Sequence, residues 1–131
     1  MKVEKSKSGC VLASLGNISG VVPYTTFYAK ESYINENKDL IKRFNKAINK
    51  GIDFVMNNSE EDIAKSIQAQ FSDTEFNDLV ELVKRYKDAD SWYSSTYVNS
   101  NDYDRLQDIL IYGKAIDKKI DSKLLITNEF N

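Results

Sequence analysis

Apolar residues recur every three or four positions in the stretch that begins near residue 37. The set comprises Leu40, Ile41, Phe44, Ile48, Ile52, Val55 and Met56. Such spacing places side chains along one stripe of an α-helix. The opposite side then carries Lys42, Arg43, Asn45, Lys46 and Lys50. The pattern predicts an amphipathic helix of about five turns, and a single proline in 131 residues is in keeping with long uninterrupted helices.

Three shorter helices are expected after the long one. Ser59 is a suitable N-cap, and the acidic residues 60–62 suit the positive end of a helix. Thr74 is the expected N-cap of the next helix. A further helix is predicted to begin near Ser100 or Asn101 and to stop at Gly113. The remaining residues are expected to form one more turn and a packed extended tail.

Two segments near the start of the chain have the composition of β-strands. Residues 10–15 are apolar and partly β-branched, and residues 24–29 are rich in aromatic and β-branched side chains. Gly16 and Gly20 bound a turn between them. The predicted fold class is therefore α/β but helix-rich, with about two strands followed by four or five helices. An isolated two-stranded sheet is only marginally stable in water, so the pattern indicates part of a larger protein.

Charge and residue content remove several functions. The chain has 18 basic and 20 acidic residues, and this balance gives no overall electrostatic reason to bind nucleic acid. It has no histidine, which excludes a Ser-His-Asp triad, a Cys-His pair and an imidazole zinc site. With one cysteine it cannot form an internal disulfide. We expect no cofactor, no metal and no enzymatic activity.

Residues 1–9 read MKVEKSKSG and contain no apolar run of the kind that a secretory signal requires. No stretch approaches the roughly 18 apolar residues of a membrane span. The sequence as written therefore predicts a cytoplasmic protein of one domain, residues 1–131, with residues 1–9 flexible.

The best candidates for ligand contact lie in and after the predicted turn: Asn17, Ser19, Gly20, Tyr24 and Thr25. Exposed backbone N–H groups, small polar side chains and a nearby aromatic face would suit a small anion or a planar ring. The alternative is a plain turn followed by a buried aromatic strand, and both interpretations stay open. Another aromatic set, Trp92, Tyr93, Tyr97 and Tyr103, is expected to pack the connection between helices.

From residue 7 to the end, a series of short segments matches the sequence of one protein family, in the order in which the family has them. It comprises 11–16 (VLASLG), 19–20, 23–25 (PYT), 29–30, 33–34, 59–64 (SEEDIA), 71–74 (FSDT), 85–87 (RYK), Trp92, 103–110 (YDRLQDIL) and 124–130. Taken together, these residues resemble the C-terminal portion of the solute-binding proteins of ABC importers. The particular class is the one that handles nitrate, sulfonates, taurine and thiamine precursors.

The resemblance implies a partial lobe of a type II periplasmic binding protein. Members of this class clamp a ligand between two α/β lobes, and this sequence would correspond to less than half of such a receptor. Its implied partners are a small-molecule ligand and an ABC permease, and its implied location is extracytoplasmic, either periplasmic or lipid-anchored. Because one lobe is not in the sequence, we expect no tight binding of sulfonates, nitrate or pyrimidines by the chain alone.

Two functions from different classes therefore remain. In the first, the chain is a solute-binding component, or part of one, that captures a small molecule in a cleft which it cannot complete alone. In the second, it is a helical self-association or protein-interaction domain without ligand binding. The open edges of the predicted strands favour homo-oligomers in either case. A pyrimidine synthase related to this class is not favoured, because the residues it would need lie outside this sequence or include histidine.

Overall fold

A computed structural model describes residues 2–13, 15–23, 25–89 and 91–131, and the described part is helical. The helices are α1 (Lys2–Lys5), α2 (Leu15–Ser19), α3 (Glu31–Glu36), α4 (Lys38–Asn57), α5 (Glu60–Ile67), α6 (Phe76–Asp88) and α7 (Ser100–Tyr112). One short 3-10 turn, Gln68–Gln70, comes directly after α5, and another, Ser122–Leu124, comes after α7. The helix-rich class predicted from the sequence is confirmed.

The long helix α4 forms as its periodicity predicts, over 20 residues. None of its residues is buried, although its apolar stripe is strongly one-sided. Leu40 and Phe44 on that stripe remain 45% and 41% exposed. Within the described residues, no helix is both long and apolar enough to cross a membrane.

The core lies between α5 and α6. Its buried members are Ile63 and Ala64 on α5 with Leu79 and Val83 on α6, each at most 2% exposed. Partly buried side chains around them come from α4, α5, α6 and the connection after α6: Val55, Ile67, Phe76, Val80, Leu82 and Trp92. One edge of α4 therefore touches the core, while most of its stripe faces elsewhere.

The helix boundaries test the predicted caps. Ser59 caps α5 as expected, since its Oγ accepts a hydrogen bond from the Asp62 N–H at 3.2 Å. Thr74 does not cap α6, which begins two residues later with Glu75 at the N-cap position. The Thr74 N–H instead donates to the Phe71 carbonyl at 2.9 Å, because this residue closes the turn between the helices. Gly113 ends α7 as predicted.

The described residues contain neither of the two predicted strands. Residues 10–13 are irregular, the end of the first segment is taken up by α2, and residues 25–29 are irregular as well. A strand is stabilised by backbone hydrogen bonds to a neighbouring strand, and neither segment has such a neighbour in the described part of the chain. Their apolar side chains are consequently open to solvent, with Leu12 93% and Tyr28 96% exposed.

The most buried side chain of α7 is a polar one. The sequence pattern predicts burial of Tyr103, Leu106, Ile109 and Leu110, yet Ile109 is 43% exposed and Gln107 is 2% exposed. The Gln107 amide donates to the Ile120 carbonyl at 3.1 Å and accepts from the Ile120 N–H at 2.7 Å. Burial of an amide is tolerated when its groups are paired. Gln107 therefore fastens the tail to α7.

Candidate functional site

A cleft of about 810 Å³ runs beside the apolar stripe of α4. Residues 22, 23 and 25–29, which we call the N-terminal wall, line it together with α3. Residues 91–98, which join α6 to α7 and which we call the connecting wall, line it as well, apart from residue 94. The last residues of the chain complete the lining. The stripe of α4 is therefore unburied because it borders a cleft.

Aromatic side chains dominate the lining: Phe27, Tyr28, Tyr33, Phe44, Tyr86, Trp92, Tyr93, Tyr97 and Phe130. Phe27 meets Phe44 edge to face, with ring centroids 4.8 Å apart. Tyr86 and Trp92 lie 5.5 Å apart in a tilted arrangement. Among the described lining residues there is no Asp, Glu, Lys or Arg. Such a surface suits an uncharged flat or apolar molecule better than an ion, because an ion here would lose hydration without gaining a counter-charge.

Asparagine side chains hold the backbone of the connecting wall. The Thr96 N–H donates to Asn49 Oδ1 of α4 at 2.9 Å. Asn128 accepts from the Val98 N–H and donates to the Val98 carbonyl, both at 3.0 Å. One side-chain amide thus satisfies both backbone groups of Val98, as a neighbouring strand would do.

The end of the chain lies over the same region. Asn131 Oδ1 accepts from Thr96 Oγ1 at 2.7 Å and from Asn45 Nδ2 at 3.3 Å. Lys38 Nζ lies 2.9 Å from Glu129 Oε1. These contacts bring Phe130 into the cleft lining without a regular helix or strand.

A polar chain on α7 reaches the connecting wall and Val21, the residue just before the N-terminal wall. The Tyr93 hydroxyl donates to Asp102 Oδ2 at 2.6 Å. Arg105 Nη1 lies 3.8 Å from Asp102 Oδ1 and donates to the Val21 carbonyl at 3.0 Å. Burial, followed by the hydrogen bond to the Asp102 carboxylate and its charge, raises the pKa of Tyr93 to about 12. Tyr93 therefore stays a protonated donor at neutral pH.

The predicted ligand-contact residues are placed apart from one another. Thr25 lines the cleft, whereas Ser19 and Gly20 are not among the described lining residues. The Ser19 hydroxyl donates locally to the carbonyls of Gly16 and Gly20, at 3.3 and 3.1 Å. Tyr24 and the Asn17 side chain lie outside the described part of the structure. The ligand-contact role of these five residues stays a prediction.

The sequence predicts that Trp92, Tyr93 and Tyr97 pack the connection between helices. Trp92 does pack against the core, and all three side chains also line the cleft. Their grouping within six positions of a polar connection was the available signal. Asn49 and Asn128 carried no such signal, because a lone asparagine on a helix or in a tail is typical of a solvated surface.

No cluster of three or more His, Cys, Asp or Glu side chains with suitable geometry occurs in the described residues. Glu60 and Asp62 have other contacts: Glu60 lies 3.4 Å from Lys87 Nζ, and Asp62 accepts from the Ser59 hydroxyl at 2.7 Å.

Comparison with known proteins confirms the resemblance derived from the sequence. Residues 7–62 match the family described as "NMT1/THI5 like". The chain is also 36% identical over 126 residues to a curated protein of Bacillus subtilis (strain 168) named "Putative binding protein YtlA". The match covers 96% of this chain but only 38% of that relative's length. No solved structure matches the chain significantly.

Proposed function

We propose that this chain, whose residues 7–62 match the NMT1/THI5-like family, forms part of a solute-binding component of an ABC importer. In this role it binds and releases a small molecule and performs no chemistry on it. The name of the 36% identical relative, a binding protein, supports the proposal. The observation that carries it is the aromatic cleft, because the matched residues include the N-terminal wall and the stripe of α4.

The resemblance implies two lobes that close on the ligand. We propose that the cleft is one side of such a site and that a second lobe covers it in the complete receptor. Closure would then draw its free energy from contacts that the ligand makes with both lobes only in the closed state. The implied transport partner is a permease that recognises this closed state.

The candidate solutes of this class are nitrate, sulfonates and thiamine-precursor pyrimidines, and the lining favours the last. An aromatic ring can stack on the side chains of the cleft. Nitrate and sulfonates would bring a negative charge to a surface whose described residues supply no cation. We therefore place an uncharged, ring-bearing solute first.

Trp92 provides a reporter for the test, since it lines the cleft and is the chain's single tryptophan. Its emission is followed while the purified chain is titrated with a hydroxymethyl aminopyrimidine, with taurine or with sodium nitrate, and calorimetry checks each titration. We expect a saturable but weak response to the pyrimidine alone, because one wall of the site gives few of the contacts that a closed receptor gives.

Two variants control for nonspecific effects. Phe44→Ala removes a ring from the cleft and should abolish the response, whereas Tyr112→Ala removes a ring that is 91% exposed and not among the cleft residues, and should not. Circular dichroism confirms that each variant is folded. A stronger response to taurine or nitrate would overturn the preference for an uncharged ring. No saturable response to any of the three would favour the alternative, a self-association or interaction domain.

A further inference from the structure

Arg105 ties α7 to Val21, the residue just before the N-terminal wall. Its guanidinium donates from Nη1 to the Val21 carbonyl, and Val22 and Pro23, the next residues, line the cleft. Gly20 has a φ of +72°, and a Cβ at this position would lie 3.1 Å from Arg105 Nη1. The guanidinium therefore packs directly on the backbone from which the wall begins.

The connecting wall is tied to α7 by Asp102. Its carboxylate accepts the Tyr93 hydroxyl at 2.6 Å, and Tyr93 lines the cleft. A short bond from a phenol to a carboxylate is charge-assisted, and such bonds are stronger than those between neutral groups. The Asp102 side chain is 19% exposed, so solvent competes only partly for the carboxylate.

Asp102 and Arg105 lie three residues apart, on one face of the helix, with Nη1 and Oδ1 separated by 3.8 Å. An ion pair of this length with a half-exposed arginine adds little stability by itself. Its effect is geometric, because each partner makes a further hydrogen bond on a different side of the cleft: Asp102 to Tyr93 of the connecting wall, and Arg105 to Val21, the residue just before the N-terminal wall. The carboxylate restrains the guanidinium, and the guanidinium restrains Val21.

We propose that Asp102 and Arg105 are positioning residues that set the separation of the two walls of the cleft. The inference rests on the proposed function in that the cleft is the proposed solute site. In a receptor of this kind, a fixed separation would hold open the space that a planar solute enters, without either residue touching the solute. The sequence match at 103–110 includes Arg105 but gives it no role.

The test measures the wall separation without any solute. Spin labels are attached at Thr26→Cys and Ser94→Cys in a Cys10→Ser background, and the distance distribution is recorded by double electron–electron resonance. Asp102→Asn and Arg105→Gln should each broaden the distribution roughly twofold, because each frees one wall from the helix. Asp104→Asn is the matched control, since Asp104 lies on the same helix and contacts Gln107 instead.

A spectroscopic readout separates positioning from general loosening. With tyrosines labelled at ¹³Cζ and the Tyr93 signal assigned through Tyr93→Phe, Asp102→Asn should lower the pKa of Tyr93 from about 12 toward the ordinary value of 10.0. The shift is partial because burial remains. Arg105→Gln should move the pKa upward instead, since the arginine charge lowers it.

The two readouts together decide the proposal. Broadening in Asp102→Asn and Arg105→Gln with opposite pKa movements, and neither effect in Asp104→Asn, would support it. Unchanged distributions in both variants, or equal broadening in Asp104→Asn, would overturn it. Because no solute is present, this result is independent of the Trp92 titration, and either proposal can fail without the other.

Discussion

The contact between Gly20 and Arg105 shows how one residue decides local geometry. Gly20 adopts φ +72°, a region that other residues enter only with strain, and the Arg105 side chain fills the space beside it. In the structure the absent side chain of Gly20 leaves room for an arginine that binds the next carbonyl.

Gly20→Ala should therefore lower the free energy of unfolding by about 1–2 kcal/mol, because alanine is strained in the left-handed backbone region and its Cβ would lie close to Arg105 Nη1. Urea unfolding followed by circular dichroism measures the change. Gly51→Ala is the matched control, since Gly51 lies inside α4 with open space where its Cβ would be. That substitution should stabilise the chain by about 0.5–1 kcal/mol. Equal effects of the two changes would contradict this account of Gly20.

At the scale of elements, a helix cap and an ion pair both act at the start of α5. Ser59 caps the first turn, and Glu60 lies 3.4 Å from Lys87 of α6. A hydrogen bond from its own backbone N–H, followed by the bond to Lys87 and the lysine charge, lowers the pKa of the Glu60 carboxyl. Lys87 Nζ also donates to the Asn58 carbonyl at 2.9 Å, so it joins the entry of α5 to the end of α6.

The direction of this shift predicts a pH dependence. Because the folded chain lowers the pKa of Glu60, the carboxylate stabilises the fold above its unfolded pKa, and this contribution is lost as the pH falls through the folded value. Glu60→Gln should therefore lose less stability than the wild type between neutral and acidic pH. The midpoint of thermal unfolding, measured over that pH range, gives the loss for each protein. Glu61→Gln is the control, since it changes the net charge equally and Glu61 takes part in none of the ion pairs among the described residues. An equally reduced loss in both variants would contradict the role given to the Glu60–Lys87 pair.

At the scale of the whole molecule, apolar surface is incompletely covered. Among the described residues, the buried core is confined to α5 and α6, while the stripe of α4 lines a cleft and several large side chains between residues 10 and 28 are exposed. The homo-oligomer expected from the sequence was motivated by strand edges, which the described residues do not form. Exposed apolar area is now the reason to expect association.

Sedimentation velocity over a concentration series should show a reversible dimer or larger species. The double variant Leu12→Ser, Tyr28→Ser removes side chains that are 93% and 96% exposed and should shift the equilibrium toward monomer. The double variant Tyr112→Ser, Leu124→Ser makes a similar change beyond residues 10–28 and should associate as the wild type does. A compact monomer at every concentration would show that the exposed side chains do not drive association.

The helices could be predicted because their causes are local. The apolar period of α4, the Ser59 cap and the stop at Gly113 each depend on neighbours within about one turn, and all of them formed as expected. The strands at 10–15 and 24–29 could not be settled in this way. Their composition records a preference for extended backbone, but a strand also needs a partner from elsewhere.

The sequence by itself determined a helix-rich chain with one long amphipathic helix, no histidine chemistry, and a likeness to solute-binding proteins that the comparisons confirm. Only the tertiary structure decided that the stripe of α4 borders a cleft, that Gln107 rather than Ile109 is buried, and that Asp102 and Arg105 contact Tyr93 and Val21 respectively. The hydrogen bond from Arg105 to Val21, for example, joins residues 84 positions apart. Periodicity and capping report interactions within a few residues, whereas the side chains that meet across the fold depend on how the helices pack.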